Sequence, residues 1–382
     1  MKKFKILHVI PGYGGGISSY VKNLISSIEE ESIIIDVIGF TDYPVEFIDT
    51  VISNGGKAYK LPNIYKNPLN FLKIFIGLIK ANDYSILHCH ISGYKGAVFK
   101  IISKFMGIQK IIVHAHRTSD EKKGLFYNIQ IKLSQKLTNF LADYYFTCSN
   151  MAAQYIFGNE TCRHKKIVSM PNSIDIEKYM LSYSDVDKQK IKEELGVENN
   201  TYIIGHIGRF NIQKNHTFMI KIIEALIQKE KDFIWLFIGE GDLEDEIKKL
   251  VKETIGDQHV KFLGRREDIP TLLQIIDVLA LPSLFEGLPT VAIEAQAAGV
   301  PVVLADTITD EANMEMGLAN YIPIIDNYDE WAESLINCVE YKEIMSKQLR
   351  RKKLEDKGFT LEILSKKYIQ EIININNLII KS

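Results

Sequence analysis

Short apolar runs recur along the chain at 4–10, 33–40, 86–90, 110–116, 144–148 and 167–171, each of a length that predicts a strand. After the first, a turn of Pro11, Gly12, Tyr13, Gly14, Gly15 and Gly16 leads to Ile17, Tyr20, Val21, Leu24, Ile25 and Ile28 at helical spacing. Helical patterns fill several of the later gaps. Strands alternating with helices predict βαβ units around a parallel sheet covered on both faces. The pattern pauses after Pro171-Asn172-Ser173 and turns polar through Ser182-Tyr183-Ser184-Asp185. It resumes with strands at 202–208, 233–238, 260–263, 278–281 and 301–304, and a helix near 216–228. This is a second α/β unit of similar size. The boundary falls within 172–200, and we assign the domains to 1–178 and 179–360. A last helix, 361–382, follows the basic run Arg350-Arg351-Lys352-Lys353.

The length of 382 residues suits two such domains. With 46% hydrophobic and 25% charged residues, the composition excludes disorder, collagen and a disulfide scaffold. A formal net charge of −2 argues against a nucleic-acid protein with a wholly basic surface, while leaving room for a local basic patch. Cys89, Cys148, Cys162 and Cys338 form no CxxC pair, which fits a reduced protein without a thiolate metal site. The start, Met1-Lys2-Lys3-Phe4-Lys5, is like a signal-peptide n-region, but the apolar run after it carries His8 and stops at Pro11. The most apolar stretch, 69–79, is interrupted by Asn70 and Lys73 and is too short to span a bilayer. A cytoplasmic location is expected.

The most informative chemistry lies between Leu281 and Glu294, in Leu-Pro-Ser-Leu-Phe-Glu-Gly-Leu-Pro-Thr-Val-Ala-Ile-Glu. A strand ends at Leu281, a glycine-containing loop follows, and Pro289 suits the first turn of a helix. In an open α/β sheet such a loop stands at the carboxyl end of a strand, where ligands bind. Backbone N–H groups of Gly287, Leu288 and Thr290 would face an anionic or hydroxylated ligand there. Glu286 and Glu294 offer acceptor carboxylates for a polyhydroxylated ligand such as a sugar or ribose. Upstream, Gly208 ends a strand and is followed by Arg209 and Lys214, two cations suited to a diphosphate. The loop Gly239-Glu240-Gly241 is expected in the same crevice. Taken singly, Gly287 and Pro289 are also turn residues, Glu294 a surface helix position, and Arg209 or Lys214 solvated cations. Their combination on successive strand ends points to a ligand.

Glu286 and Glu294 with seven residues between them, Gly208-Arg209 and Lys214, Ile238-Gly239-Glu240-Gly241, and Val260-Lys261-Phe262-Leu263-Gly264 together resemble the retaining nucleotide-sugar glycosyltransferases of GT-B family 4. The segment Ala305-Asp306-Thr307-Ile308-Thr309-Asp310-Glu311 is similar to members that build bacterial capsular or exopolysaccharide. The resemblance implies an α/β GT-B fold, with two Rossmann-like domains facing across a cleft and the C-terminal helix crossing back to the first. It implies transfer of a hexosyl group from a nucleotide sugar, with UDP the first choice, to a hydroxyl of a lipid-linked saccharide, with net retention. No cofactor, no metal and no nucleic acid is implied. Arg209 and Lys214 would hold the diphosphate and neutralise charge on the leaving phosphate, Glu294 the ribose, and Glu286 the donor sugar. Gly241, Gly287, Leu288 and Thr290 complete the donor side. Two other readings stay open: a nucleotide-sugar 2-epimerase of the same fold, and a non-catalytic nucleotide-sugar-binding subunit.

In the first domain, Gly14-Gly15-Gly16 is glycine-rich without being GxGxxG. The resemblance brings Gly15 and Gly16 to the donor phosphate and Gly14 to the acceptor. His88 and His90, and likewise His114 and His116, are spaced to share one face of a strand, with Cys89 on the opposite face. A zinc cluster is open if the two strands are neighbours. A buried central sheet with no carboxylate or thiolate to complete the site argues for core histidines at His88 and His114, and no metal is expected. His116, at the exit of its strand, is the catalytic candidate. By resemblance it would meet the donor sugar or the acceptor hydroxyl, with Arg117 where relatives carry Asn or Asp. Residues 95–136 hold nine basic residues (Lys95, Lys100, Lys104, Lys110, Arg117, Lys122, Lys123, Lys132 and Lys136) against Asp120 and Glu121. Interleaved with Val98, Phe99, Ile101, Ile102 and Phe105, they fit either an anionic membrane surface at the inner face of the plasma membrane or a solvated helix face beside core residues. Asp185-Val186-Asp187 matches a DxD metal motif by spelling, but its polar surroundings make coincidence the expectation.

Overall fold

β1 (Phe4–Val9) is buried from Ile6 onward and lies beside both β2 (Ile33–Gly39) and β4 (Tyr84–Cys89), parallel to each. The computed structural model describes residues 4–29, 32–118, 124–340 and 345–380; Met1 to Lys3 and the segment holding Asp120, Glu121, Lys122 and Lys123 lie outside them. The chain divides into two units, Met1–Ser173 with Gly358–Ser382, and Ile174–Lys357.

In the first unit the order along the chain is β1, α1 (Gly16–Ser27), β2, α2 (Val45–Ser53), β3 (Ala58–Lys60), α3 (Pro68–Ala81), β4 and α4 (Gly93–Phe105). Then come β5 (Lys110–Ala115), α5 (Leu125–Leu141), β6 (Tyr144–Thr147), α6 (Asn150–Phe157), α7 (Asn159–His164) and β7 (Ile167–Ser169). Among the described residues they form a seven-stranded sheet, β3-β2-β1-β4-β5-β6-β7, parallel throughout. The strand order reverses between β1 and β4, which makes the carboxyl ends of β1, β4 and β5 the ligand-binding edge of such a sheet.

The second unit runs α8 (Ile176–Tyr179), α9 (Asp185–Glu194), β8 (Tyr202–Ile207), α10 (His216–Gln228), β9 (Phe233–Ile238), α11 (Glu244–Thr254) and β10 (Val260–Phe262). It continues with α12 (Ile269–Leu272), β11 (Val278–Leu281), α13 (Thr290–Ala298), β12 (Val302–Ala305), β13 (Ala319–Ile322), α14 (Tyr328–Glu340) and α15 (Lys347–Asp356). Its parallel sheet, β10-β9-β8-β11-β12-β13, switches between β8 and β11. The loops after β8 and β11 carry Arg209, Lys214 and Glu286.

The last helix, α16 (Leu361–Ile380), belongs to the first unit as expected. Leu364, Tyr368 and Ile372 complete a core with Val21, Leu24, Ile35, Ile86, Ile112 and Phe146. Burying each large aliphatic side chain there contributes about 1.5–3 kcal/mol.

Three local features differ from the sequence pattern. The expected polar linker contains two short helices, and Ile176 and Met180 are buried. Because α8 packs on α13, the division falls after Ser173 rather than at 178. The DxD spelling is explained as well: Ser184 and Asp187 form a capping box at the start of α9. Lys100, counted among the surface cations of 95–136, is buried on the inner side of α4 together with Phe99. Among the described residues, no helix is long and apolar enough to cross a membrane.

Candidate functional site

In the second unit the loop after β8 is shaped by close backbone approach. Gly208 N–H donates to Ile238 O at 2.9 Å, and Phe210 N–H donates to Glu240 O at 3.0 Å. A Cβ at Gly239 would lie 2.0 Å from Gly208 O, and one at Gly241 would lie 2.3 Å from Phe210 O. Glycine is required at both positions for the two loops to touch. A Cβ at Gly208 would also meet Lys214 Cε at 2.9 Å, so its absence makes room for the Lys214 side chain.

Asn211 Oδ1 accepts from Lys214 N–H at 3.2 Å and caps a single 3-10 turn, Ile212–Lys214. Asn215 then takes a left-handed conformation, φ 58°, and its side chain donates to Pro282 O at 3.2 Å. Leu284 N–H donates to Gln213 O at 2.8 Å. These bonds clamp the loops after β8 and β11 together. Within the clamp, Lys214 Nζ donates to Glu286 Oε1 at 2.6 Å and Gln213 Nε2 to Glu286 Oε2 at 2.9 Å. Lys214 and Glu286 are both largely buried, with side-chain exposures of 13% and 8%. Arg209 stands exposed on the same loop. Beneath them His216, stacked on Phe210 at 4.3 Å, is held down to about 4, chiefly by burial and further by the Lys214 charge. A neutral imidazole therefore lies under the cation. Gln213 had no distinguishing sequence signal beyond its place beside Lys214.

Glu294 lies on α13, partly buried, and accepts a hydrogen bond from Tyr179 of α8. Burial pushes its carboxyl up to about 7, against the opposing effect of the Tyr179 bond. Tyr179 sits in the stretch that reads as linker, which is why its role is hidden in the sequence. Gly287 is half-buried, Leu288 is buried, and Thr290 opens α13. Pro289 occupies the position just before the helix, in extended conformation, rather than its first turn. The 305–311 segment joins this loop where Thr307 Oγ1 donates to Ser283 O at 2.8 Å.

In the first unit, Gly14 and Gly15 have φ of 96° and 122°, values that favour glycine. Gly14 N–H donates to Ser18 Oγ at 3.0 Å, which in turn donates to Gly15 O at 2.9 Å. Gly16 starts α1, with Asn172 alongside. Arg117 is exposed and lines a cavity of about 270 Å³ with Tyr65, Tyr94, Tyr127 and Tyr155.

The histidines meet because β4 does pair with β5 and β1 lies beside β4. One hydrogen-bonded file results. His116 Nε2 is 2.9 Å from His90 Nδ1, His90 Nε2 is 3.0 Å from His8 Nδ1, and His8 Nε2 is 2.9 Å from Tyr368 Oη. Tyr368 Oη is 3.2 Å from His88 Nδ1, and His88 Nε2 is 3.3 Å from His114 Nδ1. Burial holds all five imidazoles well below their usual range, so they are neutral. His8 and Tyr368 stand 360 residues apart, a contact that strand spacing cannot show.

Two family models match: glycosyltransferase family 4 over residues 14–178 and glycosyl transferases group 1 over 187–353. The Bacillus subtilis protein EpsF is 29% identical over 336 residues, which is 87% of this chain and 86% of EpsF. An Escherichia coli UDP-Gal:alpha-D-GlcNAc-diphosphoundecaprenol alpha-1,3-galactosyltransferase is 24% identical over 338 residues, covering 83% of this chain and 85% of that enzyme. Among solved structures, Anabaena HepE in complex with UDP-glucose has a TM-score of 0.77 at 20% identity, over 97% of this chain and 99% of HepE. A Rickettsia africae glycosyltransferase has a TM-score of 0.75 at 17% identity, over 97% of this chain and 98% of its own. With both units matched in order and the parallel sheets and returning C-terminal helix in place, the chain belongs to the group 1 glycosyltransferases of family 4, enzymes of the GT-B fold.

Proposed function

We propose that this glycosyltransferase moves a hexosyl group from a UDP-sugar to a hydroxyl of a lipid-linked saccharide during polysaccharide biosynthesis, with net retention of configuration. The Lys214–Glu286 pair at the switch point of the second sheet carries this reading. Lys214 is fixed by Glu286 and supplies a preoriented cation to a diphosphate. Arg209 adds a second charge from the same loop, so the leaving phosphate is neutralised by side chains without a divalent metal. Glu294 accepts from the ribose hydroxyls, and Glu286, shared between Lys214 and Gln213, faces the donor sugar. The UDP choice draws support from the UDP-dependent Escherichia coli relative and from HepE, which was solved with UDP-glucose.

On the acceptor side, Gly14, His116 and Arg117 are assigned to the saccharide, and the tyrosines around Arg117 offer flat faces to sugar rings. The lipid-linked nature of the acceptor rests on the surface of α4 and α5. Phe105, Phe126 and Phe140 are 90%, 85% and 83% exposed there, beside exposed Lys95, Lys104, Lys132 and Lys136. Apolar side chains among lysines suit peripheral contact with an anionic inner membrane face.

Incubation with UDP-, GDP- and dTDP-sugars plus a lipid-linked acceptor tests the proposal. Release of UDP with a glycosylated lipid supports it. Isomerised free donor indicates a 2-epimerase, and tight nucleotide binding without turnover a binding subunit.

A further inference from the structure

The histidine file joins five imidazoles and one phenol by five hydrogen bonds, in the order His116, His90, His8, Tyr368, His88, His114. The ring nitrogens outside these bonds are His116 Nδ1 at one end and His114 Nε2 at the other. The imidazoles are neutral, and burial keeps the Tyr368 hydroxyl protonated. Each of the six groups therefore carries one proton that it can donate.

Each bond holds one of these protons, which leaves one over. If His116 donates from Nε2, His90 accepts at Nδ1 and must donate from its own Nε2. The same choice passes through His8, Tyr368 and His88 to His114. All five histidines then carry the proton on Nε2. If one of them carries it on Nδ1, all five must. Any mixture sets two lone pairs or two protons against each other in a buried link, which is costly. The file thus has two arrangements with opposite ends. A proton on the outer nitrogen of His114 means a lone pair on the outer nitrogen of His116.

The two ends differ. His114 also bonds the Met170 backbone in the sense that favours its protonated form, as a carbonyl acceptor does. Among the described residues, His116 Nδ1 is buried without a partner. The surplus proton belongs at His114. Stacking of the His114 and His116 rings at 4.0 Å, with Tyr20 against both at 4.8 and 5.6 Å, holds their edges in place. We propose that the file fixes His116 as an acceptor at Nδ1 for a saccharide hydroxyl, with His90, His8, Tyr368, His88 and His114 as positioning residues. This rests on the assignment of His116 to the sugar-transfer site and adds the chemistry that it recognises. A hydroxyl donates to the lone pair, whereas a phosphate or carbonyl oxygen would oppose it. Tyr368 reaches in from α16, so the helix that completes the core also sets a proton at the exit of β5.

NMR of the isotope-labelled full chain, with no sugar added, provides the first test. Couplings across the hydrogen bonds are expected from His116 Nε2 to His90 Nδ1 and from His90 Nε2 to His8 Nδ1, with all five Nδ1 atoms unprotonated. Tyr368→Phe removes the shared hydroxyl, uncouples His116 from Met170 and should leave His116 as a mixture of tautomers. In the transfer assay Tyr368→Phe should lower kcat/KM about tenfold, the worth of one hydrogen bond. In a His116→Ala background it should add nothing, because its effect passes through His116. A proton on His116 Nδ1, mixed tautomers in the wild type, an unchanged His116 tautomer in Tyr368→Phe, or a full further loss in the His116→Ala background would overturn the proposal. If Tyr368→Phe does not fold, the wild-type couplings decide. A chain without transfer activity would overturn the transfer reading alone, since the couplings are read without sugar.

Discussion

Lys214 donates to Glu286 across 2.6 Å, joining the loop after β8 to the loop that leads into α13. The pair is nearly buried, and Gln213 occupies the other carboxylate oxygen. Neither residue is therefore a mobile surface charge. Each holds the other at the switch point of the sheet, where a diphosphate and its sugar would sit.

Removing the cation should cost more than its charge. Lys214→Ala is expected to lower kcat/KM more than tenfold, about 1.4 kcal/mol or more of transition-state stabilisation. Arg209→Ala should show a loss of similar size. Because Lys214 also supports Glu286, a cycle with Glu286→Gln should show the two effects to be non-additive. Steady-state kinetics decide this, and near-wild-type values would remove both cations from the mechanism.

Glu294 should make stability, and with it the proposed nucleotide binding, pH-dependent in a defined direction. Its folded carboxyl titrates near 7 and its unfolded one near 4.5, so between these values the unfolded chain releases the proton first. Stability from this group is present below about 4.5, falls as pH rises toward 7, and is flat above. A ribose hydroxyl donates best to the ionised carboxylate, so nucleotide affinity should rise through the same window. Glu294→Gln should flatten both curves in denaturant titrations and calorimetry at several pH values.

The glycines of the β9 loop should resist even the smallest side chain. Gly239→Ala would drive a methyl to 2.0 Å from Gly208 O, and Gly241→Ala to 2.3 Å from Phe210 O. We expect each to destabilise the chain by roughly 1–3 kcal/mol and to weaken nucleotide binding, because the Arg209 loop must move. Gly77→Ala, on α3 with nothing within 4 Å of its Cβ, serves as the control and should leave the melting temperature unchanged or slightly raised.

Contact with a membrane should depend on charge and on exposed rings together. Binding to anionic vesicles is expected to weaken with salt and to fall further in Phe105→Ser or Phe126→Ser. Binding that ignores salt and lipid charge, or no binding at all, would leave α4 and α5 as a solvated face.

The sheets were legible because buried strands repeat as short apolar runs, and the residues proposed for the donor side because they stand at strand exits in a fixed order. What was hidden depended on distant contacts or weak local patterns. β3 and β13 are short edge strands of three and four residues, too short to show a period. Lys100 looks like a surface lysine until the turn of α4 carries it inward. Tyr179 lies 115 positions from Glu294, and His8 gains meaning only beside strands β4 and β5. The polar stretch before β8 hid α8 and α9, since neither has a long apolar stripe.

The most direct measurement is the anomeric configuration of the product formed from an α-linked UDP-hexose, read by NMR coupling constants. An α-linked saccharide with stoichiometric UDP release is expected, in buffer to which neither Mg²⁺ nor Mn²⁺ adds activity. A β-linked product, or consumption of the donor without any transfer, would contradict it.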